Sequence, residues 1–542
     1  MSRAASFERL SSEGPFDLAI IGGGATGLGV ALDAALRGYK VVLLESHDFA
    51  KGTSSRATKL VHGGVRYLAQ GNVSLVREAL HERAVLLRNA PHLAQPIPFV
   101  MPSYRWWETA FYGLGLKLYD LLAGSSALGA TEFLSRAEVL ARVPQSKQAG
   151  LRGGVQYWDG QFDDARLAIA LARTAEQQGA LLLNYCPVTA LRHEAGRVVG
   201  VQCRDGETDQ TYEVRAACVV NATGVWVDAI RAMDAQGVHQ VAEPMVTPSQ
   251  GVHLVVDRSF FNAEHALLVP STADGRVLFA VPWLGKVILG TTGTPRQDLP
   301  REPEPFEAEV DFILREAGRY LEKAPTRADV QSVWVGLRPL VKPPREQGDN
   351  TKGLSREHTV LTSGSGLVTV TGGKWTTYRA MAEDVLAQCL QTGALQARPT
   401  RSGTADCRLV GAQAGPSAAA PVSITHAPGT HLYGSEQAAL KALPGAEVWL
   451  CEGLSEAMVR FAARYEFART VEDVLARRSR LLFLDARQAV SVAPAVAQIL
   501  AQETGVDPNW TVSRRWRSTT ACLQPPIGAA KAGFKGSFCR NS

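Results

Sequence analysis

Two rhythms of apolar and polar residues run along this chain, and the first change from one to the other is the most informative. Asp17 to Ile21 is a short, nearly unbroken apolar run, the pattern of a strand buried on both faces of a parallel sheet. Gly22, Gly24 and Gly27 follow at G-x-G-x-x-G spacing, with Ala25 and Thr26 between them, and open a helical pattern at Leu28, Ala31, Leu32, Ala35 and Leu36. Twenty positions on, Val41–Leu44 predicts a second strand closed by Glu45. Gly22 suits a tight turn, Gly24 a close approach of backbone to a pyrophosphate, and Gly27 the packing of helix on strand. The helix N-terminus offers free N–H groups to phosphate oxygens, and Glu45 stands where a carboxylate accepts bonds from a ribose. Strand, turn, helix, second strand and terminal acid together predict a dinucleotide site.

Beyond Glu45 the pattern departs from a compact nucleotide domain. A polar loop, 51–59, is followed by Leu60-Val-His62-Gly-Gly-Val-Arg66-Tyr67-Leu68. Helical spacing predicts helices over 73–89, 105–122 and 165–178, with a turn around 153–164. Residues 216–221 form another apolar strand ending in a glycine turn at Gly224, and 244–341 reads mostly as strands (253–256, 277–281, 287–290) with a helix over 307–321. A loop is expected at Gly336-Leu-Arg338-Pro339, then a strand over 367–371, the turn Gly372-Gly373-Lys374, and a helix over 376–391. The segment 400–430 is rich in Ala, Gly, Pro and Ser and reads as a linker or surface excursion. Helices are expected again over 435–443, 455–465, 471–482 and 487–503.

At 542 residues the chain exceeds one simple core, and 46% apolar with 20% charged residues describes an ordinary globular protein. No apolar stretch is long enough to span a bilayer, and Met1–Pro15 lacks the layout of a secretory signal. Eight scattered cysteines without a C-x-x-C pair predict neither structural disulfides nor a zinc or other metal site, and a reducing compartment. The formal charge is +5, yet six basic residues and no acid lie beyond position 508, so the preceding residues carry a net −1. That balance argues against nucleic-acid binding by the folded part.

The motifs resemble the FAD-dependent glycerol-3-phosphate dehydrogenases of the aerobic, membrane-associated type. The resemblance is carried by Gly22-Gly-Gly-Ala-Thr-Gly27, Thr53-Ser54-Ser55, Lys59-Leu-Val-His-Gly-Gly-Val-Arg-Tyr-Leu68, Asn221-Ala-Thr-Gly-Val-Trp226, Gly336–Pro339 and Gly372-Gly-Lys-Trp-Thr-Thr-Tyr378, in family order. Tyr465, Thr470, Arg477, Arg478 and Arg480 look like the family's C-terminal domain. One departure stands out: the family's Gly-Thr-Thr-Asp is here Gly290-Thr-Thr-Gly293. The expected fold class is α/β: an FAD-binding Rossmann-like domain interleaved with an antiparallel-sheet substrate domain, plus a helical C-terminal domain. The expected boundaries are 15–392 for the oxidoreductase part (substrate domain mainly 90–150 and 240–345), 393–508 for the helical domain and 509–542 for a basic, disordered tail.

What the resemblance implies is oxidation of sn-glycerol 3-phosphate to dihydroxyacetone phosphate by hydride transfer from C2 to FAD, with electrons passed to ubiquinone. Such chemistry needs cations for a phosphate, and Arg338, braced by Pro339, and Arg66 beside Tyr67 fit. Lys374 is positioned to reach substrate oxygen or flavin, and it is not a P-loop lysine, because Val368 stands where that motif needs Gly. His62 and His253 are both candidates for the base. Thr53, Ser54 and Ser55 offer hydroxyls to pyrophosphate or flavin, or serve as a helix cap. Gly224, Gly373, Thr376 and Thr377 are expected against the cofactor, the last two aiming N–H groups at the flavin's pyrimidine edge.

A quinone acceptor implies peripheral contact with the inner (cytoplasmic) membrane from the cytoplasmic side. The aromatic segment 105–122 would supply that contact or pack as core, and a homodimer is compatible with the family. Three rival readings remain: a glycerol-3-phosphate oxidase, an amine-oxidising enzyme of the same superfold, and a non-catalytic flavin-binding redox sensor. Peroxide yield identifies the first, and bleaching of flavin by glycerol 3-phosphate excludes the last.

Overall fold

The computed structural model describes residues 2–68, 72–239, 241–270, 272, 275–341, 358–412 and 421–506, so the basic tail lies outside the described residues. The first strand, Phe16–Ile21, is flanked on both sides by parallel partners, Val41–Leu44 and the end of Thr211–Asn221. Phe16 lies opposite Ala216 and Ile21 opposite Asn221, so a segment two hundred residues away completes the sheet opened by the glycine turn. Val368–Thr371 pairs parallel with Thr211–Asn221 on its other side, and Leu181–Leu183 pairs parallel with Val41–Leu44. Leu18, Ala19 and Ile20 are wholly buried, as the unbroken apolar run requires. Helices Ala25–Leu36, Asp164–Gln177 and Tyr378–Gln391 pack together against this sheet.

The second sheet has ten strands and carries the long pair Val246–Asp257 and Ser332–Val341, antiparallel in register from Val246–Val341 to Val255–Ser332. It is antiparallel except at one junction, where Ala266 and Leu267 pair parallel with Phe99 and Val100. Two sequence expectations are corrected here. The turn expected around 153–164 is a ten-residue strand, Gly153–Phe162, paired along its length with Ala94–Ser103. Its glycines let backbones approach: a Cβ on Gly154 would stand 2.7 Å from the Met101 carbonyl oxygen. The Gly336–Pro339 loop likewise lies inside the Ser332–Val341 strand, because its long partner imposes the register over local glycine and proline signals.

The C-terminal part is helical: Gln437–Lys441, Glu456–Tyr465, Leu481–Leu484 and Ala486–Thr504. The single helix expected over 471–482 is instead a widened turn, Asp473–Arg478, broken at Arg480, whose φ is +64°. Segment 400–430 is no free linker in its described parts: Thr404 and Ala405 carbonyls accept from Asn89, and Ile424 and Thr425 carbonyls accept from Leu284 and Gly285.

Candidate active site

Between the two sheets runs a cavity of about 480 Å³. One end is built by the glycine turn. Gly22 has φ +109°, where a side chain is strained, and its Cβ would also sit 2.7 Å from the Ala222 carbonyl oxygen. A Cβ on Gly27 would come 2.0 Å from the Gly22 carbonyl oxygen, so Gly27 sits behind the cavity wall and lets the helix close on the turn. Gly24, Ala25 and Thr26 line the cavity. The Ala25 N–H donates to Ser54 Oγ at 2.9 Å, a cap for the helix supplied from the next loop. Glu45 also lines this end and accepts from Gly23 N–H (2.7 Å) and His47 N–H (2.8 Å). Burial nonetheless leaves its carboxyl above the usual range, against the pull of those backbone donors.

At the other end stand His62, His253, Arg338, Gly373, Lys374 and Thr376. Arg338 leaves its strand across Gly251, where a Cβ would meet the guanidinium at 2.4 Å. Its Nη1 donates to the Thr292 carbonyl (3.0 Å) and its Nη2 to Thr291 Oγ1 (3.1 Å). His253 lies beside it, stacked on Trp334 with ring centroids 5.2 Å apart and Nε2 2.9 Å from Thr58 Oγ1. Burial, then Arg338 and Lys59, hold His253 well below the ordinary imidazole range, so it is neutral at pH 7.

Behind the cavity wall the charges are paired. The Lys59 ammonium donates to the Ser55 carbonyl and Asp164 Oδ2, both at 2.7 Å, and lies 4.9 Å from the Trp334 ring centroid. Burial brings Lys59 down to about 7 despite Asp164. Arg480 donates to the same Ser55 carbonyl and to Asp164 Oδ1. Farther out, Asp48 takes Arg477 and Arg478; Lys51, which lines the cavity, is bound by Glu302 and Glu472. Burial alone would raise Asp48; the two guanidiniums outweigh it and hold the carboxyl down.

Of the residues expected from sequence, Gly22, Gly24, Ala25, Thr26, Glu45, Thr53, Ser54, His62, Gly224, His253, Arg338, Gly373, Lys374 and Thr376 come together on this one cavity. Ser55 and Thr377 do not: Ser55 turns its carbonyl to Lys59 and Arg480, and Thr377 is buried with its hydroxyl toward the Lys374 carbonyl. Thr53 spends its hydroxyl on the Leu337 carbonyl, tying the loop to the Arg338 strand. Arg66 and Tyr67 lie in the short helix Val65–Leu68, and their side chains are outside what the structure describes. Sequence reasoning missed Thr58, Gly251 and the Lys59–Asp164–Arg480 brace. Lys59 carried a signal, a lysine inside a matched motif; Gly251 carried none. At the departure from the family pattern, Gly293 faces Arg276, with a Cβ placed 3.1 Å from its Nη1.

A family model described as FAD dependent oxidoreductase matches residues 17–379, and one described as the C-terminal domain of alpha-glycerophosphate oxidase matches 402–511. Human mitochondrial glycerol-3-phosphate dehydrogenase is 40% identical over 541 residues, covering 93% of this chain and 73% of the relative. The yeast (Saccharomyces cerevisiae) mitochondrial enzyme is 36% identical, covering 95% of this chain and 90% of its own. This chain belongs to the FAD-dependent glycerol-3-phosphate dehydrogenase family. The glycerol-3-phosphate dehydrogenase of Bacillus halodurans, solved with FAD, superposes with a TM-score of 0.76 at 29% identity, over 96% of this chain and 98% of that one. The L-alpha-glycerophosphate oxidase of Mycoplasma pneumoniae shares the fold, with a TM-score of 0.54 at 16% identity over 72% of this chain and 97% of that one.

The cofactor is FAD, and the residues present fit it. A bare backbone turn at Gly22–Gly24 opens a helix N-terminus onto the cavity, the Glu45 carboxyl lines the same end, and the cavity continues to Lys374 and Arg338.

Proposed function

We propose that this protein oxidises sn-glycerol 3-phosphate to dihydroxyacetone phosphate and passes the electrons to ubiquinone at a membrane surface. Bound FAD supplies the hydride acceptor for C2. Arg338 binds the substrate phosphate, joined by Arg66 from the motif it shares with Tyr67, and fixes C2 against the acceptor. One of the two cavity imidazoles, His62 or His253, takes the hydroxyl proton, and His253 is held neutral for the purpose. Lys374 and the N–H groups around Thr376 favour negative charge as it develops at this end. Glu45, Gly22, Gly24, Ala25, Thr26, Ser54, Gly224 and Gly373 hold the dinucleotide.

The observation that carries this reading is Arg338, an arginine that lines the end of the cavity away from Glu45 and is oriented over Gly251 by bonds to Thr291 and Thr292. Anaerobic glycerol 3-phosphate is expected to bleach the visible flavin band of the purified protein at once. A band unchanged by substrate overturns the assignment, and the His62→Gln and His253→Gln variants identify the base by which one loses kcat.

The membrane part rests on one helix. Glu108–Ala123 buries Leu116 and Tyr119 and turns Phe111 (65% exposed), Leu114 (74%) and Leu121 (76%) outward, with Trp106 (82%) just before it. No helix among the described residues is long and apolar enough to cross a membrane. An exposed aromatic and leucine face flanked by Arg105 and Lys117 is the make-up of a helix lying in a lipid interface. We place the protein peripherally on the inner membrane through this face. Changing Trp106 and Trp107 to Ser is expected to move the enzyme from pelleted vesicles to the supernatant. Retention unchanged by both substitutions rejects this face. Quinone and oxygen as acceptors separate by peroxide yield: little or none per turnover with ubiquinone present, one per turnover if the protein is an oxidase.

A further inference from the structure

The two ring nitrogens of His253 have different surroundings. In the sheet His253 pairs in register with Gly290 on one neighbouring strand and with Trp334 on the other. The Trp334 indole covers one face of the ring, and a Cβ on Gly290 would come 2.5 Å from its Cδ2. The residue is 2% exposed, and its Nδ1 is buried with no hydrogen-bond partner among the described residues. Its Nε2 meets Thr58 Oγ1 at 2.9 Å, and Thr58 is half-buried on the cavity lining. The chain on both sides fixes Thr58 in place. Ala57 N–H and the Lys59 ammonium donate to Asp164 Oδ2, at 3.0 and 2.7 Å, and the Lys59 carbonyl accepts from Phe162 N–H. Lys59 has φ +65°, and the chain turns there, with the ammonium behind the wall and Thr58 on the cavity.

A base must reach the proton it takes, directly or across one intervening group. We propose that Thr58 is a catalytic residue, the hydroxyl that stands between the substrate's C2 hydroxyl and His253 Nε2 and relays the proton from one to the other. The assignment deepens the proposed oxidation of glycerol 3-phosphate and rests on it, and it makes His253 the base of the two cavity imidazoles. As the hydride leaves C2 for bound FAD, the substrate O–H bond breaks and its proton joins Thr58 Oγ1. The proton that Thr58 carried passes to Nε2. Thr58 ends as it began, C2 becomes a carbonyl carbon, and His253 gains the proton. Nδ1 is unbonded in either tautomer of the neutral ring, and the tautomer protonated at Nδ1 leaves the Nε2 lone pair for Thr58. Burial, then Arg338 and Lys59, oppose a charged ring while the site lacks substrate. A phosphate brought to Arg338 sets negative charge against the second of these, so the ring gains basicity once substrate is in place.

Stopped-flow reduction of the flavin by anaerobic glycerol 3-phosphate is measured at matched FAD occupancy for the wild type, Thr58→Val, Thr58→Ser, His253→Gln and the double variant Thr58→Val with His253→Gln. Thr58→Val keeps the branched shape and loses the hydroxyl, and it is expected to slow reduction roughly a hundred-fold or more, the scale of proton transfer by a placed group. Dihydroxyacetone phosphate, titrated through its perturbation of the flavin spectrum, should bind this variant within about three-fold of wild type. Thr58→Ser restores most of the rate. The double variant is no slower than the slower single one, because two groups on one proton path act as a unit. In histidine-labelled protein without substrate, nitrogen-15 resonances place the His253 proton on Nδ1, and Thr58→Val shifts the Nε2 signal. Losses that multiply in the double variant overturn the relay, as does a Thr58→Val enzyme that reduces its flavin within about two-fold of the wild-type rate. Loss of product binding together with rate in Thr58→Val, unrestored by Thr58→Ser, makes the residue structural and overturns it too. A full rate in His253→Gln removes His253 as the base, while the proposed oxidation stands. A wild-type flavin that substrate does not bleach overturns the oxidation itself.

Discussion

Arg338 and the pair Arg477 and Arg478 sit in elements that pack on one loop, 48–59, and they differ in what they are bonded to. Arg477 and Arg478 are fully buried and meet Asp48, with Glu472 and Asp473 also on Arg477. Arg338 is held by two carbonyls and a hydroxyl, and it fronts the cavity. Both sets are costly to place away from bulk water. In the first, the protein's own carboxylates offset the cost, and the result is a rigid seam between the C-terminal helices and the cofactor loop. In the second, these hydrogen bonds go to neutral atoms and orient the guanidinium at the cavity, where we propose that the substrate phosphate meets it. On the proposed function, the same residue type is structural in the seam and binds substrate at the cavity.

Substituting one member of each set gives the sharpest test. Arg338→Met is expected to reduce kcat/KM for glycerol 3-phosphate by roughly a thousand-fold, about 4 kcal/mol, since a charged partner loses its mate. Thermal stability should hold to within a few degrees. Arg477→Met is expected to do the reverse. It takes one partner from each of Asp48, Glu472 and Asp473 in the seam and costs about 3–5 kcal/mol of folding stability in denaturant titration. Folded protein that remains should keep its KM. If Arg338→Met unfolds the enzyme, or Arg477→Met raises KM with stability intact, the division fails.

The same division explains what the sequence made legible. The cofactor end was readable because it is local: Gly22, Gly24, Gly27 and Glu45 lie within one strand–helix–strand unit, and their spacing is set by the turn they build. The substrate end is assembled across the sheet. Arg338 reaches its place only because Ser249 pairs with it in register and Gly251 leaves room, a relation between positions nearly ninety residues apart. A family motif contains Arg338, and His253 was a candidate base outside the motifs, but nothing in the chain's periodicity placed them together. Ser55 and Thr377 were misjudged for a related reason. Hydroxyls in a motif look alike in sequence, and only packing decides that Ser54 faces the cavity while its neighbour's carbonyl faces Lys59. The strand Gly153–Phe162 and the break at Arg480 were lost to local signals that tertiary pairing overrides, glycines in one case and helical spacing in the other.

Acid titration separates the two regions by a smaller step. His92 sits at the inner edge of the C-terminal segment, beside Gly411, and burial and then Arg166 bring it down to about 3. Above the ordinary imidazole value of about 6.5 neither folded nor unfolded chain binds the proton. Below it the unfolded chain does and the folded one does not, so stability falls as pH drops from about 6.5 toward 3, by about 1.4 kcal/mol per unit from this group. Asp48, held down by Arg478 and Arg477, and Glu472, held down by Lys51 and then Arg477, contribute stability that is lost only lower, as pH falls below the ordinary carboxylate range of about 4. Urea midpoints between pH 6.5 and 4.5 therefore report on the lowered imidazoles, His92 and His253 among them. His92→Gln should flatten that slope by about one proton's worth, and an unchanged slope places the titration elsewhere.

The smallest effect probes how Arg338 is aimed. Gly251 lies in a strand where any residue fits the backbone, so adding a methyl group there tests space and nothing else. The Cβ would fall 2.4 Å from Arg338 Nη2 and 2.7 Å from its Cζ, closer than real contacts allow, and the flexible guanidinium is the part that yields. Shifted, it gives up its bonds to Thr291 and the Thr292 carbonyl while keeping its charge. Gly251→Ala should therefore raise KM about ten-fold, near 1.4 kcal/mol, with kcat reduced less and stability changed by under about 1 kcal/mol. That outcome separates orientation from charge, because Arg338→Met removes both. A Gly251→Ala enzyme with wild-type KM would mean that the neutral acceptors are incidental and that charge alone, anywhere near the cavity end, suffices to hold the anion.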